Sequence, residues 1–275
     1  MNYIGIRGHR GAGKNSISYL LGNTLEYINQ VGDPDLSGNL FESNYNHWCD
    51  TLMKSENCIN EISLAHVYFD SFSDSIKLFI KLILGCPDEY VYEDKYKDLI
   101  VINLKDLSYK PLSEFEKEPK LKTANEFYKL MPFNSDEKPT KLNNDHYMKL
   151  SEFIMYFGFE VMQRFFGKNI WVKIMQSNSS VYDGFFEEMS DQTYYKIFSD
   201  IKAHAEETFI RNNNGVIVKI MRPGHKKGGS KLQDELMTDC DFNIIVDGDL
   251  YSIKDKIINL AKNINDKFKQ KYGKN

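Results

Sequence analysis

A lysine at position 14 stands directly behind a glycine-rich run, Gly8-His9-Arg10-Gly11-Ala12-Gly13-Lys14, and Asn15 and Ser16 follow it. Before the run comes a short apolar stretch, Tyr3-Ile4-Gly5-Ile6, suited to a buried strand. After it, Ile17, Leu20, Leu21, Leu25 and Ile28 recur at helical spacing. The interval from Gly8 to Gly13-Lys14 is that of a phosphate-binding loop. Glycines let the backbone curl so that several N–H groups converge, and the helix that follows adds the positive end of its dipole. In this reading the Lys14 ammonium reaches β- and γ-phosphates. The motif places a Mg²⁺-touching hydroxyl after the lysine, where this chain has Asn15. A neutral amide oxygen, acting directly or through a water, predicts weaker metal binding. A glycine-rich strand-to-helix turn with a surface lysine is the plain alternative.

Other charged groups could act on the same chemistry. Asp200 follows the apolar run Tyr194–Phe198, which is where a phosphate-loop protein keeps the carboxylate that orders Mg²⁺ and its waters. A helix-capping aspartate fits the position equally. Lys202 reads as a contact to an acceptor phosphate or as a solvated lysine. Glu206 is spaced to pair with it on a helix. Arg222, Lys226 and Lys227 share a segment with Gly224, Gly228 and Gly229. Short, basic and flexible, residues 222–235 suit a lid that excludes water and offsets transition-state charge; an exposed basic loop has the same composition. Glu160 and Arg164 are spaced for a helical ion pair, and an arginine held in this way can also grip a nucleotide phosphate. Trp171 could stack on a base or pack in a core.

To bring these groups together the chain needs a scaffold, and its pattern supplies one. Strands are predicted at the N-terminus, at Ala65–Phe69, Tyr194–Phe198, Val216–Ile220 and Phe242–Val246. Helical patterns follow at Ile76–Leu84, Ala203–Asn212 and Ile253–Phe268. This α/β rhythm implies a three-layer fold, a roughly five-stranded parallel sheet with helices on both faces. Ligands of such sheets bind outside the carboxyl ends of the strands. The Gly8–Lys14 loop, the Phe72-Ser73-Asp74 turn, Ser199–Lys202 and the basic run all fall at such ends. Residues 1–275 read as a single domain with two insertions. Residues 29–63 form one, with weak helical periodicity from Tyr45 to Ile62. Residues 86–190 form the other, mostly helical and on the substrate side, with its best helix at Leu150–Phe166.

Composition narrows the function further. An apolar share of 41% and a charged share of 27% fit a soluble globular protein. A net charge of −4 argues against nucleic-acid binding through a basic surface. Cys49, Cys58, Cys86 and Cys240 have no metal-ligand spacing and read as reduced thiols of a cytoplasmic protein. An N-terminal strand that runs into the loop leaves no room for a signal peptide. The longest apolar run, Leu78–Leu84, is broken by Lys81 and is too short to cross a membrane.

Taken together, these segments resemble the bacteriophage deoxynucleoside monophosphate kinases through most of the chain apart from the insertions. The resemblance is carried by Gly8–Ser16, by Phe72-Ser73-Asp74-Ser75-Ile76-Lys77, by Leu150–Arg164 with Trp171-Val172 after it, by Phe198–Lys202 with Glu206, by Arg222-Pro223, and by Asp241–Leu250. It implies a phosphate-loop kinase that passes the γ-phosphoryl group of ATP to a deoxynucleoside monophosphate, with Mg²⁺ and small-molecule nucleotides as its partners. Gly8, Arg10, Gly11, Ala12, Gly13, Lys14, Asn15 and Ser16 would hold ATP, and Asn15 and Asp200 the metal. Asp74, Lys77, Glu160, Arg164, Trp171, Lys202 and Glu206 would lie around the acceptor. Lys14, Arg222, Lys226 and Lys227 would stabilise the transferring group. A homodimer stays open. Where this chain has Asn15 the family usually has Asp, where it has Lys202 the family has Arg, and where it has Phe159 the family has a small residue. A lysine cannot grip phosphate in the bidentate way of arginine. Two other readings therefore remain, a catalytically silent nucleotide-binding relative and a kinase for another small phosphorylated acceptor.

Overall fold

The computed structural model of the chain describes residues 1–9, 11–31, 36, 38–54, 64–117, 119–123, 126, 147–177, 193–224 and 239–272. In chain order the elements are β1 (Asn2–Gly8), α1 (Lys14–Val31), α2 (Asn39–Lys54), β2 (Val67–Asp70), α3 (Phe72–Leu84), α4 (Asp88–Tyr92), α5 (Asp94–Lys97), β3 (Ile100–Asn103), β4 (Tyr109–Pro111) and β5 (Tyr147–Lys149). Then come α6 (Leu150–Met155), a π-helical stretch Tyr156–Met162, α7 (Gln163–Phe166), β6 (Tyr195–Phe198), α8 (His204–Asn212), β7 (Val216–Met221), β8 (Phe242–Ile245) and α9 (Lys254–Tyr272). The chain divides into two compact units. One comprises Met1–Phe72 and Met175–Asn275, the other Ser73–Ile174.

The first unit is built on a five-stranded sheet in the order β2-β6-β1-β7-β8. Every pairing in it is parallel. Parallel strands are covered on both faces and so carry near-continuous apolar runs. Ile4 and Ile6 of β1 join the core formed with Ile17, Leu20, Leu21 and Leu25 of α1 and with Ile257 and Ile264 of α9. The alternate residues Tyr3 and Arg7 meet α8 on the opposite face, through Phe209 and Glu207. Helices thus flank the sheet on both sides, compatible with a three-layer α/β fold. α2 begins before the periodicity seen at Tyr45–Ile62, because Phe41, Tyr45 and Cys49 form one stripe that packs into the same core. Residues 55–63 lie outside the described residues.

The second unit has its own core, with Ile76, Ile80, Ile100, Ile102, Met148 and Phe153 among its members. Where the sequence suggested mainly helices, β3 pairs antiparallel with β4 and β5. The β-branched run Ile100-Val101-Ile102 is the reason, too short to stand out among charged and proline-containing flanks. α3 ends at Gly85 with φ +61°, as its sequence predicts. The helix expected over Leu150–Phe166 is divided by the π-helical stretch. Among the described residues, no helix is long and apolar enough to cross a membrane.

Candidate functional site

β1 is the middle strand of its sheet, and its carboxyl end is Gly8. A Cβ there would lie 2.8 Å from the Ile220 carbonyl oxygen, so β1 and β7 can approach this closely only with glycine. Gly11 and Gly13 take φ values of +78° and +87°, which turn the chain back onto α1. The first helical bond runs from the Ile17 N–H to the Gly13 carbonyl at 2.9 Å. The amides of residues 14–16 therefore precede the helical ladder and point toward the loop. No acidic side chain of its own occupies the first turn of this 18-residue helix, so the positive end of its dipole is open to an anion from outside the helix. Lys14 opens the helix, and its ammonium donates to the Gly8 carbonyl at 3.0 Å and the His9 carbonyl at 3.2 Å.

The neighbouring strand brings the counter-charge. Past the end of β6, Ser199 N–H donates to the Asp70 carbonyl and Ile201 N–H to the Ile6 carbonyl. Asp200 is thereby carried between the tips of β2 and β1. Its Oδ1 lies 3.5 Å from the Lys14 ammonium, and its Oδ2 is ion-paired with Lys202. Glu206 is buried, 7% exposed, at the first turn of α8. Its Oε2 accepts from the Lys202 amide at 2.6 Å and the Ala203 amide at 2.9 Å. Burial, the largest influence, pushes the Glu206 carboxyl up to about 7 from an ordinary 4.5, and the Asp200 charge adds to this. The two amides and the Lys202 charge act the other way. The pairing expected between Lys202 and Glu206 thus runs through the Lys202 backbone amide, while its ammonium reaches Asp200.

Two ammonium groups and a helix start around one carboxylate can hold an anion with several oxygens. Among the described residues, no group of three or more His, Cys, Asp or Glu could hold a metal ion. A Mg²⁺ ion here would take Asp200 and, at most, the exposed Asn15 amide from the protein. The remaining ligands would be phosphate oxygens and water, the usual pattern for this ion.

The sequence reading missed Arg7. It is 1% exposed, and its Nη1 lies 3.0 Å from Glu207 Oε2, while its Nη2 donates to the Asp239 carbonyl. Glu207 also accepts from Arg211 Nε at 3.0 Å, and Arg211 lies 3.4 Å from Asp241. Asp241 in turn pairs with Lys267. Arg7 directly precedes Gly8, and a lone charge inside an apolar strand was the available signal.

Asp74, Lys77, Glu160, Arg164 and Trp171 belong to the second unit. Lys77 pairs with Asp74 at 2.7 Å and lies over the Tyr92 ring. Glu160 falls in the π-helical stretch and Arg164 in α7. Arg164 is exposed. Trp171, for which the sequence left stacking on a base and packing in a core both open, is 2% exposed, and its indole N–H donates to the Gly158 carbonyl at 2.8 Å, as suits the core reading. Arg222 is exposed beyond β7. Arg10, Lys226 and Lys227 lie outside the described residues. No family model matches this chain, and no curated protein matches it.

Proposed function

We propose that this chain is an ATP-dependent kinase that transfers the γ-phosphoryl group to a deoxynucleoside monophosphate, with Gly8–Lys14 as its phosphate-binding loop. The observation that carries this reading is the meeting of Lys14, Asp200 and Lys202 at the tips of two adjacent strands, beside the start of α1. The all-parallel sheet supports it, since the connection leaving β1 runs toward one edge and that leaving β7 toward the other. Such a change of direction is where open α/β sheets bind ligands.

Bound Mg·ATP would supply the phosphoryl group and a divalent charge on its phosphates. Lys14 would exchange the Gly8 and His9 carbonyls for phosphate oxygens, and the first-turn amides of α1 would add their donors. Asp200 would hold both lysines in register and order the water around the metal, with Asn15 as a weak second oxygen. Lys202 would present a point charge to the acceptor phosphate. That phosphate is already anionic near neutral pH, so the reaction needs positioning and charge neutralisation more than a strong base. Arg222, with Lys226 and Lys227, would offset charge as it moves. Asp74, Glu160 and Arg164, to which the resemblance gives an acceptor role, lie in the other unit.

A coupled assay with Mg·ATP across the deoxynucleoside monophosphates tests the reading. Turnover is expected on at least one acceptor, and Lys14→Ala should lower kcat/KM by about 100-fold or more. An unchanged Lys14→Ala variant would remove the loop from the mechanism. ATP binding without turnover on any acceptor would favour the silent relative, and turnover restricted to a non-nucleotide phosphate the altered kinase.

A further inference from the structure

Glu206 makes a contact that an acceptor ligand would not need. One of its oxygens collects two successive amides, those of Lys202 and Ala203. Each bond fixes one peptide plane, so the backbone on both sides of the Lys202 α-carbon is held. Lysine is a compact charge on a flexible four-carbon stem, and its reach is set by where that stem is rooted. At this site the stem ends on Asp200, which also faces Lys14. Glu206 itself is buried beneath the turn, with little surface left for a substrate.

We propose that Glu206 is a positioning residue: it fixes the turn at residues 201–203 so that the Lys202 ammonium is delivered to Asp200 and to the acceptor phosphate, and it does not touch the acceptor. The acceptor part rests on the kinase reading; the placement of Lys202 does not. A glutamine has the same length and keeps one oxygen able to accept both amides. An alanine keeps neither. A cap that only stabilised α8 would change folding and leave the affinity for one substrate over the other alone.

The test compares Glu206→Gln and Glu206→Ala in the full chain. Steady-state kinetics are measured for both substrates. The rate of reductive methylation at Lys202 is read separately by mass spectrometry. Glu206→Ala should raise the acceptor KM by roughly tenfold or more, because the charge is misplaced rather than removed, and leave the ATP KM unchanged. It should also speed Lys202 methylation. Glu206→Gln should restore both values to near wild type. If Glu206→Ala does not fold, Glu206→Asp, shorter by one methylene, replaces it. A glutamine variant as impaired as the truncated one overturns the proposal, because the charge would then be acting on substrate. Unchanged KM and methylation in Glu206→Ala overturn it as well. Methylation that follows the expected order in a chain with no turnover supports the positioning role and removes the kinase reading; normal turnover with methylation unaffected does the reverse.

Discussion

A charge taken out of water inside a parallel sheet is costly unless it is matched, and Arg7 is matched at both terminal nitrogens of its guanidinium. Glu207 meets one end of the guanidinium and the Asp239 carbonyl the other, while Nε has no hydrogen-bond partner among the described residues. Breaking a buried pair from one side leaves an uncompensated charge, which typically costs about 3–5 kcal/mol, whereas removing both partners costs much less. Arg211 still contacts Glu207 at 3.0 Å, so the lower end applies. Arg7→Met should therefore lower stability by about 3 kcal/mol in urea denaturation, and Arg7→Met with Glu207→Gln should recover part of that loss. A double variant no better than the single would place the cost elsewhere. Glu206 makes a second prediction with a definite sign. Its folded-state value, about 7, lies above its ordinary 4.5, so the folded state holds the proton longer than the unfolded state. The stability this group adds is complete below about pH 4.5 and falls as pH rises toward 7, by at most about 1.4 kcal/mol per pH unit. The difference in unfolding free energy between wild type and Glu206→Gln, measured from pH 4 to 8, should show that decline; a flat difference would mean that Glu206 titrates normally.

Elements were legible from sequence where their signal is local. The stripe Ile17, Leu20, Leu21, Leu25 and Ile28 repeats within one helix, and all five side chains are buried as expected. The strand-loop-helix around Lys14 was legible for the same reason, since each residue type is tied to a backbone need of its immediate neighbours. Pairings that close over long stretches of chain were not. Arg7 and Glu207 are 200 positions apart, and no periodicity reports them. The antiparallel β3–β5 sheet also escaped, because strands this short acquire their register from partners rather than from composition. The π-helical stretch escaped because its apolar spacing imitates an α-helix over one turn. Strand pairing beside the loop leads to a prediction that belongs at this scale. Gly8→Ala would press a methyl group within 2.8 Å of a backbone oxygen of β7, and a paired strand cannot step aside as a side chain can. The expected loss is about 1–3 kcal/mol, visible as a lower denaturation midpoint with an unchanged slope. Gly13→Ala has open space around its Cβ but a φ of +87°, so its cost would come from the backbone alone, about 1–2 kcal/mol.

At the scale of the whole chain, residues 73–174 interrupt the first unit between β2 and β6, and each unit closes around its own apolar cluster. Separate cores are the physical condition under which unfolding ceases to be a single all-or-none event. Leu21 and Ile102 are each 0% exposed, the first in one core and the second in the other. Replacing either with alanine leaves a cavity worth about 2–5 kcal/mol. If the cores unfold separately, calorimetry should show two transitions, with Leu21→Ala lowering one and Ile102→Ala the other. Nucleotide then becomes a third probe, because a ligand stabilises only the folded form that binds it. Lys14, Asp200 and Lys202 all lie in the unit that contains Leu21. Saturating Mg·ATP should therefore raise the transition that Leu21→Ala lowers, and Lys14→Ala should abolish that shift. Both core variants moving one shared transition would mean that the two clusters unfold as one cooperative body. A nucleotide shift confined to the transition sensitive to Ile102→Ala would move the phosphate site out of the first unit.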